Sequence, residues 1–303
     1  MEDMQNQADE RGLPIDEVGV TNLRYPIAVL DPKREKQETI AQLTLSVNLP
    51  HHFKGTHMSR FIEVLNEHRG EVTMHTLPEI LRDMQAKFEA DSARVEVRFP
   101  YFIEQQAPIS GAKALMDYDC TFIGKVHGEE DDFILGVQVP VASLCPCSKA
   151  ISDYGAHNQR GYVTLDVRSL PAEDGRLHII WIEELIAIIE QSASAPVYAL
   201  LKRADERHVT MQAYDNPVFV EDIVRNVATQ LQADDRVAWF QVEVVNQESI
   251  HNHSAFARIE WERAPQPVDT DEEFQTLLIR WLDKHKSDEK ARQSLIECLS
   301  CCI

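Results

Sequence analysis

The chain has 303 residues, 44% of them hydrophobic and 26% charged, the composition of a globular protein with room for one large domain or two ordinary ones. No run approaches the roughly 18 apolar residues a membrane-spanning helix needs, and the acidic start MEDMQNQADERG is no secretory signal, so a cytoplasmic location with reduced cysteines is expected. With 30 Lys+Arg against 50 Asp+Glu the formal net charge is −20, which excludes the basic stripe of a duplex binder and confines anionic ligands to local clusters of cations.

Residues 1–35 mix Pro14, Pro26 and Pro32 with many charges and little periodicity, and read as an N-terminal arm. ETIAQLTLSVNL is a long strand, and HHFKGTHMSRFIEVLNEH carries Phe61, Val64 and Leu65 at helical spacing. Thr76-Leu77-Pro78-Glu79 opens a second helix as a capping box with Pro near its first position. Strands follow at 93–106, 114–127 and 133–142, the last alternating through Phe133, Leu135, Val137 and Val139. Cys120 sits in such an alternating strand and reads as a small buried hydrophobe.

The second half repeats that order. A strand runs from Gly161 to Leu170, and a helix over 181–192 buries Ile182, Leu185, Ile186 and Ile189. Another helix begins at Asp215-Asn216-Pro217, with an Asx cap and Pro at its first position, and strands at Val237–Val245 and Ala255–Trp261 close the set. The order implies an α+β fold of two similar modules, helices packed on one face of antiparallel sheets. The expected division is 1–35 arm, 36–144 first module, 145–263 second module and 264–303 appendage. In the appendage Phe274, Leu277, Leu278, Trp281 and Leu282 stripe a short helix before the terminal CLSCCI.

Four stretches carry chemistry-bearing residues. SLCPCSKAISDYGAHNQRG (143–161) holds Cys145, Cys147 and His157 with Lys149 and Arg160. In extended backbone, residues two apart face the same side, so both sulfurs reach one cation and His157 adds a nitrogen. Such an incomplete set leaves a position open, the catalytic arrangement of a metal site; two ordinary thiols beside a surface loop are the alternative. LLKRADERHVTMQAYDNPVFVEDIVR (200–225) holds Lys202, Arg203 and Glu206, then Glu221 in the first turn of a helix. Glu221 borders the buried stripe and can look into a cleft, although a helix N-terminus favours a carboxylate in any case. VVNQESIHNHSAF (244–256) offers Glu248, His251 and His253 after a strand. In HHFKGTHMSRF (51–61), Lys54, His57 and Arg60 with the Thr56 and Ser59 hydroxyls suit phosphate oxygens at a helix start, or plain capping.

Taken together KGTHMSRF, SLCPCSKAIS with GAHNQRG, LLKRADE with AYDNPVFVED, and ESIHNH resemble the prokaryotic type B GTP cyclohydrolase I family of the tunnelling-fold superfamily, over about residues 18–262. The resemblance implies two tandem tunnelling-fold modules in a homotetramer with active sites at subunit interfaces. It implies conversion of GTP to 7,8-dihydroneopterin triphosphate and formate, the entry to folate-type pterins, with a divalent metal (zinc, manganese or iron). By the same motifs Cys145, His157 and Glu206 are the expected metal ligands, with Cys147 as neighbour or alternate. Glu248 and His251 complete the metal surroundings or move protons, and Glu221 anchors the purine. No nucleic acid or membrane partner is expected.

The residue types suit that chemistry. Water must add to C8 of guanine, a poor electrophile, and a bound divalent cation brings the pKa of water to about 7. A soft thiolate and a borderline imidazole suit such a cation, and histidine moves protons near neutrality. One carboxylate, Glu221, accepts both the N1–H and the exocyclic amine of guanine, a pairing adenine cannot offer. Lys54, Arg60, Lys149, Arg160, Lys202 and Arg203 are candidates for receiving the triphosphate. Two other readings stand beside this one. The NADPH-dependent nitrile reductase of queuosine synthesis shares the superfamily, but its Glu-Ser-Lys-Ser-Leu-Lys type of string is absent; a non-catalytic metal-binding or scaffold protein is the other.

Overall fold

Period-two alternation builds the sheet. The computed structural model describes residues 9–68, 72–173 and 176–264, together with Gln5 and Trp281. Its strands are β1 (Ile15–Asp31), β2 (Glu35–Leu49), β3 (Ser92–Gln106), β4 (Lys113–His127), β5 (Glu130–Leu144), β6 (Asn158–Ser169), β7 (Ala195–Pro196), β8 (Val237–Gln247) and β9 (Ala255–Glu262). They form one sheet in the order β1-β2-β3-β4-β5-β6-β8-β9, with the short β7 paired to β5. Every pairing from β1 to β8 is antiparallel.

Leu43, Leu45 and Val47 on β2 and Val95 and Val97 on β3 are buried, whereas their alternating neighbours Gln42 and Arg98 are exposed. The apolar face is covered by helices. In the first half α1 (Ser59–Glu67) buries Phe61, Val64 and Leu65, the spacing read from the sequence, and α2 (Leu77–Phe88) buries Leu77, Ile80, Leu81 and Met84. Phe61 stacks on Phe88 at 4.2 Å between ring centroids, which ties the two helices together. In the second half α4 (Ile182–Ser192) lies over β5, and α6 (Val220–Gln232) covers β8 with Val220, Ile223, Val224, Val227, Ala228 and Leu231. Each of the larger side chains in such a stripe contributes about 1.5–3 kcal/mol by leaving water. Two further helices, α3 (Pro146–Ile151) and α5 (Arg203–Asp215), bury almost nothing apolar. No helix among the described residues is long and apolar enough to cross a membrane.

The two halves are stapled by polar contacts. The Tyr101 hydroxyl on β3 donates to Glu183 Oε1 on α4 at 2.7 Å, and Tyr118 on β4 donates to Glu190 Oε1 at 3.0 Å. Burial pushes the Glu190 carboxyl up and both phenols far up. Asp205, in the first turn of α5, is buried and accepts from the Ile109 and Ser110 amides and the Ser110 hydroxyl in the β3–β4 turn, as well as from the Lys202 amide. Burial alone would raise this carboxyl; the bonds from Ser110, Lys202 and Ile109 outweigh it and hold it well below the usual range.

Several expectations change in the structure. Ile15–Asp31 is an edge strand rather than part of an irregular arm. Pro26 is tolerated there because β1 has a neighbour on one side only among the described residues, and Asn22, at φ 58°, sits where the register with β2 shifts. Counting β1, two strands, helices and two strands follow one another twice, with α1 and α2 in the first set and α4, α5 and α6 in the second, and the chain turns over at Gly128, whose φ of 57° suits the tight β4–β5 turn. The residue 144 taken as the end of the first module is the last residue of β5, one strand after that turn. Thr76 precedes α2 but makes no side-chain cap; its hydroxyl instead accepts from the Thr73 amide. The Asp215-Asn216-Pro217 signal ends α5 and does not begin α6: Asn216 is the C-cap of α5, and α6 starts three residues after Pro217 with Phe219 as N-cap. Cys120 is buried at 1% exposure, as expected, and burial raises its thiol. The stripe from Phe274 to Leu282, Trp281 apart, and the cysteines Cys298, Cys301 and Cys302 lie outside the described residues.

Candidate active site

The β5–β6 connection brings the first motif together. Cys145 directly follows β5, in extended conformation, and is the N-cap of α3, its Sγ accepting from the Ser148 amide at 3.4 Å. The connection closes on itself: the Cys145 amide donates to the His157 carbonyl at 3.1 Å, and the His157 amide donates to Ser148 Oγ at 3.2 Å. Thus Cys145 and His157, far apart in sequence for a loop, start and finish one clamp above the β5–β6 ladder. Pro146–Ile151 is helical, so the extended-chain reason for two sulfurs facing one side does not hold; Cys147 lies exposed on α3.

A cavity of about 180 Å³ opens beside this clamp, lined by Cys145, Gln159, Phe219, Glu221, Asn246 and Glu248 among others. Three of the residues singled out in the sequence meet here. Cys145 comes from the end of β5, Glu221 from the first turn of α6 and Glu248 from just after β8. His157 stands at the edge, with Nδ1 2.9 Å from Gln159 Oε1 and 3.9 Å from Glu248 Oε2. The side chains of His157 and Glu248 are each 13% exposed, largely withdrawn from solvent.

The floor is a polar network that sequence reasoning misses. Ser143, at 0% exposure, donates from Oγ to the Val218 carbonyl at 3.0 Å and accepts from Asn246 Nδ2 at 3.0 Å. Gln159 Nε2 approaches the same oxygen at 3.5 Å. Asn246 is 1% exposed, and its Oδ1 has no hydrogen-bond partner. That oxygen lies over Gly161, directly opposite in the β6–β8 register, where a Cβ would meet it at 2.5 Å. A signal for this network does exist in the sequence: polar Ser143, Gly161 and Asn246 fall in phase with the apolar positions of β5, β6 and β8, where an unexplained polar residue marks function or a paired group.

The remaining sequence candidates are dispersed. Lys149 donates to the Tyr214 carbonyl and lies 4.3 Å from the Tyr214 ring centroid, so α3 sits against the end of α5. Glu206 is exposed on α5, Lys202 is exposed at its N-cap and Arg160 is exposed at the start of β6. His251 and His253 are exposed and stack on each other at 5.1 Å. The 51–61 stretch belongs to the first half and lines none of the cavity: Lys54 and Ser59 are exposed, Thr56 is buried, His57 is half-buried, and Arg60 donates to the Lys87 carbonyl at 3.2 Å near the end of α2. Among the described residues no three Cys, His, Asp or Glu side chains converge closely enough to hold one ion. The donors nevertheless suit a borderline divalent cation in kind. Cys145 and Glu248 share one cavity, and Gln159 orients His157 through the nitrogen opposite its free edge, the usual support of a metal-ligating histidine.

Comparison with known proteins adds the following. A family described as type I GTP cyclohydrolase folE2 matches residues 1–257. A protein named GTP cyclohydrolase FolE2 from Geobacter metallireducens is 54% identical over 260 residues, covering 86% of this chain and 97% of that one. Relatives of the same name from Geobacter sulfurreducens (53% over 263 residues, 87% and 99% covered) and Syntrophus aciditrophicus (52% over 262 residues, 86% and 100% covered) are similar throughout. Among solved structures, urate oxidase from Bacillus sp. TB-90 superposes with a TM-score of 0.51 at 10% identity, covering 82% of this chain and 99% of that one, a likeness of fold alone.

Proposed function

The chain belongs to the type I GTP cyclohydrolase FolE2 family, and from that premise we infer that it is a GTP cyclohydrolase I, opening the guanine imidazole ring of GTP hydrolytically to give 7,8-dihydroneopterin triphosphate and formate. Its fold is two tandem tunnelling-fold modules. The reading is carried by one observation: Cys145, Glu221 and Glu248, from three separate motifs, line a single cavity with His157 at its edge.

Glu221 receives the guanine edge. Its carboxylate, at the positive end of α6, accepts N1–H and the exocyclic amine together, and adenine would leave it facing an acceptor. Glu248 and His251, on the β8–β9 connection, move protons to and from the opening ring. Cys145, His157 and Glu206 would hold a divalent cation, zinc, manganese or iron, with Cys147 as alternate ligand. When bound, the cation supplies Lewis acidity toward water and the purine. Lys149, Arg160 and Lys202 lie around the second-half motifs and receive phosphate oxygens.

A cavity of about 180 Å³ is smaller than the roughly 300–1,000 Å³ that sites for ligands of this size occupy. Lys54, Thr56, His57, Ser59 and Arg60 line none of it. Both facts support a site completed by a second copy, whose 51–61 stretch supplies the missing wall. The outer edges of β1 and β9, which pair with no further strand among the described residues, are backbone surfaces on which copies can associate. The assembly is a homotetramer working in the cytoplasm.

The test is direct. Purified protein incubated with GTP and manganese releases formate and, after oxidation, a fluorescent pterin; neither product forms from ATP. Absence of formate over a range of divalent metals ends the cyclohydrolase reading.

A further inference from the structure

We infer that Gln159 and Ser143 are positioning residues that fix His157 as the Nδ1–H tautomer, leaving Nε2 as the lone-pair nitrogen of the neutral ring. The significance for catalysis rests on His157 serving the proposed site; the tautomer itself does not.

The relay begins at a group that cannot donate. The Val218 carbonyl only accepts, and Ser143 Oγ lies 3.0 Å from it with no exposure to solvent. The single hydroxyl proton of Ser143 is therefore committed to Val218. Any other polar atom on that oxygen must donate, which orients two carboxamides. Asn246 turns its Nδ2 to Ser143 at 3.0 Å, and Gln159 turns its Nε2 there at 3.5 Å. With its amide nitrogen so placed, Gln159 presents Oε1 at its other end, 2.9 Å from His157 Nδ1. A carbonyl oxygen has no proton to give, so the proton of that bond sits on Nδ1. The second group facing Nδ1, Glu248 Oε2 at 3.9 Å, is also an acceptor and favours the same tautomer.

The opposite orientation is penalised at the Ser143 end. Rotating the Gln159 carboxamide would set its oxygen against a hydroxyl whose proton is already spent, two acceptors face to face in a buried place. The frame that holds the relay is backbone. Ser143 and Gln159 are directly opposite in the β5–β6 register, and the Val218 amide donates to the Leu144 carbonyl at 3.2 Å, so the Val218 carbonyl is fixed beside Ser143. The unpartnered Asn246 Oδ1 is the cost of this direction: Asn246 keeps its donor on Ser143 although its oxygen finds nothing. A neutral imidazole with Nε2 unprotonated is the form that ligates a cation or accepts a proton from a substrate.

Metal-free full-length protein labelled with 15N in its histidines is the first test, read by long-range proton–nitrogen spectra, with the His157 signals identified by their loss in His157→Gln. The parent and Gln159→Glu, which keeps an acceptor at that place, should show Nδ1 protonated. Gln159→Leu should move the population toward Nε2–H, and Ser143→Ala, which frees Gln159 to rotate, should do so in part. Manganese affinity measured by chelator competition should fall about 10–100-fold in Gln159→Leu and stay within a few-fold of the parent in Gln159→Glu. A parent His157 protonated on Nε2, or a leucine variant with the parent's tautomer, overturns the inference. A protein that binds no manganese yet carries the Nδ1–H ring sinks the metal assignment and upholds the relay.

Discussion

The two halves of the molecule share a frame of two strands, covering helices and two strands, to which the second adds α3, β7 and α5, and they differ most in what joins their strands. In the first, β1 passes to β2 through a tight turn at 32–34, where Asp31 Oδ1 accepts from the Lys33 and Arg34 amides. At the matching place in the second, between β5 and β6, residues 145–157 carry α3, Cys145 and His157. The β3–β4 connection at 107–112 is likewise short and pinned by Asp205, whereas the β8–β9 connection holds Glu248, His251 and His253. One half joins these strands by short turns, and the other carries the residues of the proposed site in its connections. In the proposed site the reactive side chains come from connections of the second half and from the first turn of α6, set on a frame of strands that both halves possess.

The comparison breaks most visibly at Cys145. Cys145→Ala is expected to lose bound manganese and to lower turnover by about 10³-fold or more, since a metal's charge stabilisation is worth several kcal/mol. Metal analysis and formate release measured on one preparation check it. A metal-bearing, active alanine variant would return this loop to the status of its counterpart at Asp31. Glu221 stands next. Glu221→Gln keeps the size of the side chain but places an amide donor against guanine donors, and kcat/KM for GTP should fall on the order of 10²-fold. Manganese content should stay at the parent's level, which separates a purine anchor from a metal ligand.

Much of this division can be read from residues in order, and the failures have physical causes. The strands and helices that cover the core announce themselves through apolar periodicity: Phe61, Val64 and Leu65 on α1, and Val220 to Leu231 on α6. The strand β1 does not, because its first part is exposed on both faces and it carries a proline. Nor do α3, which buries no residue, and α5, which buries only Asp205 and Ala213. A helix without an apolar stripe has no period to detect. At the site, reactive side chains are legible by type, so Cys145, His157, Glu221 and Glu248 stand out. The Ser143–Asn246–Gln159 floor is not, since its meaning lies in which strand faces which. Glu206 is legible by motif only; its backbone lies on an exposed helix face, and a single chain gives no geometric reason to choose it.

Two glycines give a matched pair for sharpening the comparison. A Cβ on Gly161, in the second half, would meet Asn246 Oδ1 at 2.5 Å and Val141 Cγ2 at 3.1 Å; one on Gly124, in the first, would meet Leu77 and Leu81 of α2 at 2.6 to 2.9 Å. Both alanine variants overpack and should cost about 1–3 kcal/mol of stability. Only Gly161→Ala displaces the floor of the cavity, and its turnover per folded molecule should drop by roughly tenfold, while Gly124→Ala should turn over GTP like the parent once corrected for folded fraction. Equal activity losses in the two would mean that the floor carries no special weight.

The smallest expected effect belongs to the first half's own turn, and it concerns stability alone. Asp31 is 7% exposed; burial by itself would raise its carboxyl, but the Lys33 and Arg34 amides and Gln37 Nε2 outweigh that and hold it below the ordinary value. A carboxyl depressed in the folded state contributes stability that is present above the unfolded pKa of about 3.9 and is lost as pH falls through the folded value. Asp31→Ala should therefore lose about 1–2 kcal/mol at neutral pH, for two amide bonds to a charged acceptor partly replaced by water. Its denaturation midpoint should merge with the parent's as the medium is acidified below about pH 4. Formate release per folded molecule should be unchanged, because nothing in the 145–157 clamp touches this turn. A kcat deficit in Asp31→Ala, at a pH where the protein is fully folded, would mean that the two ends of the sheet are coupled and that the plain module takes part in the chemistry after all.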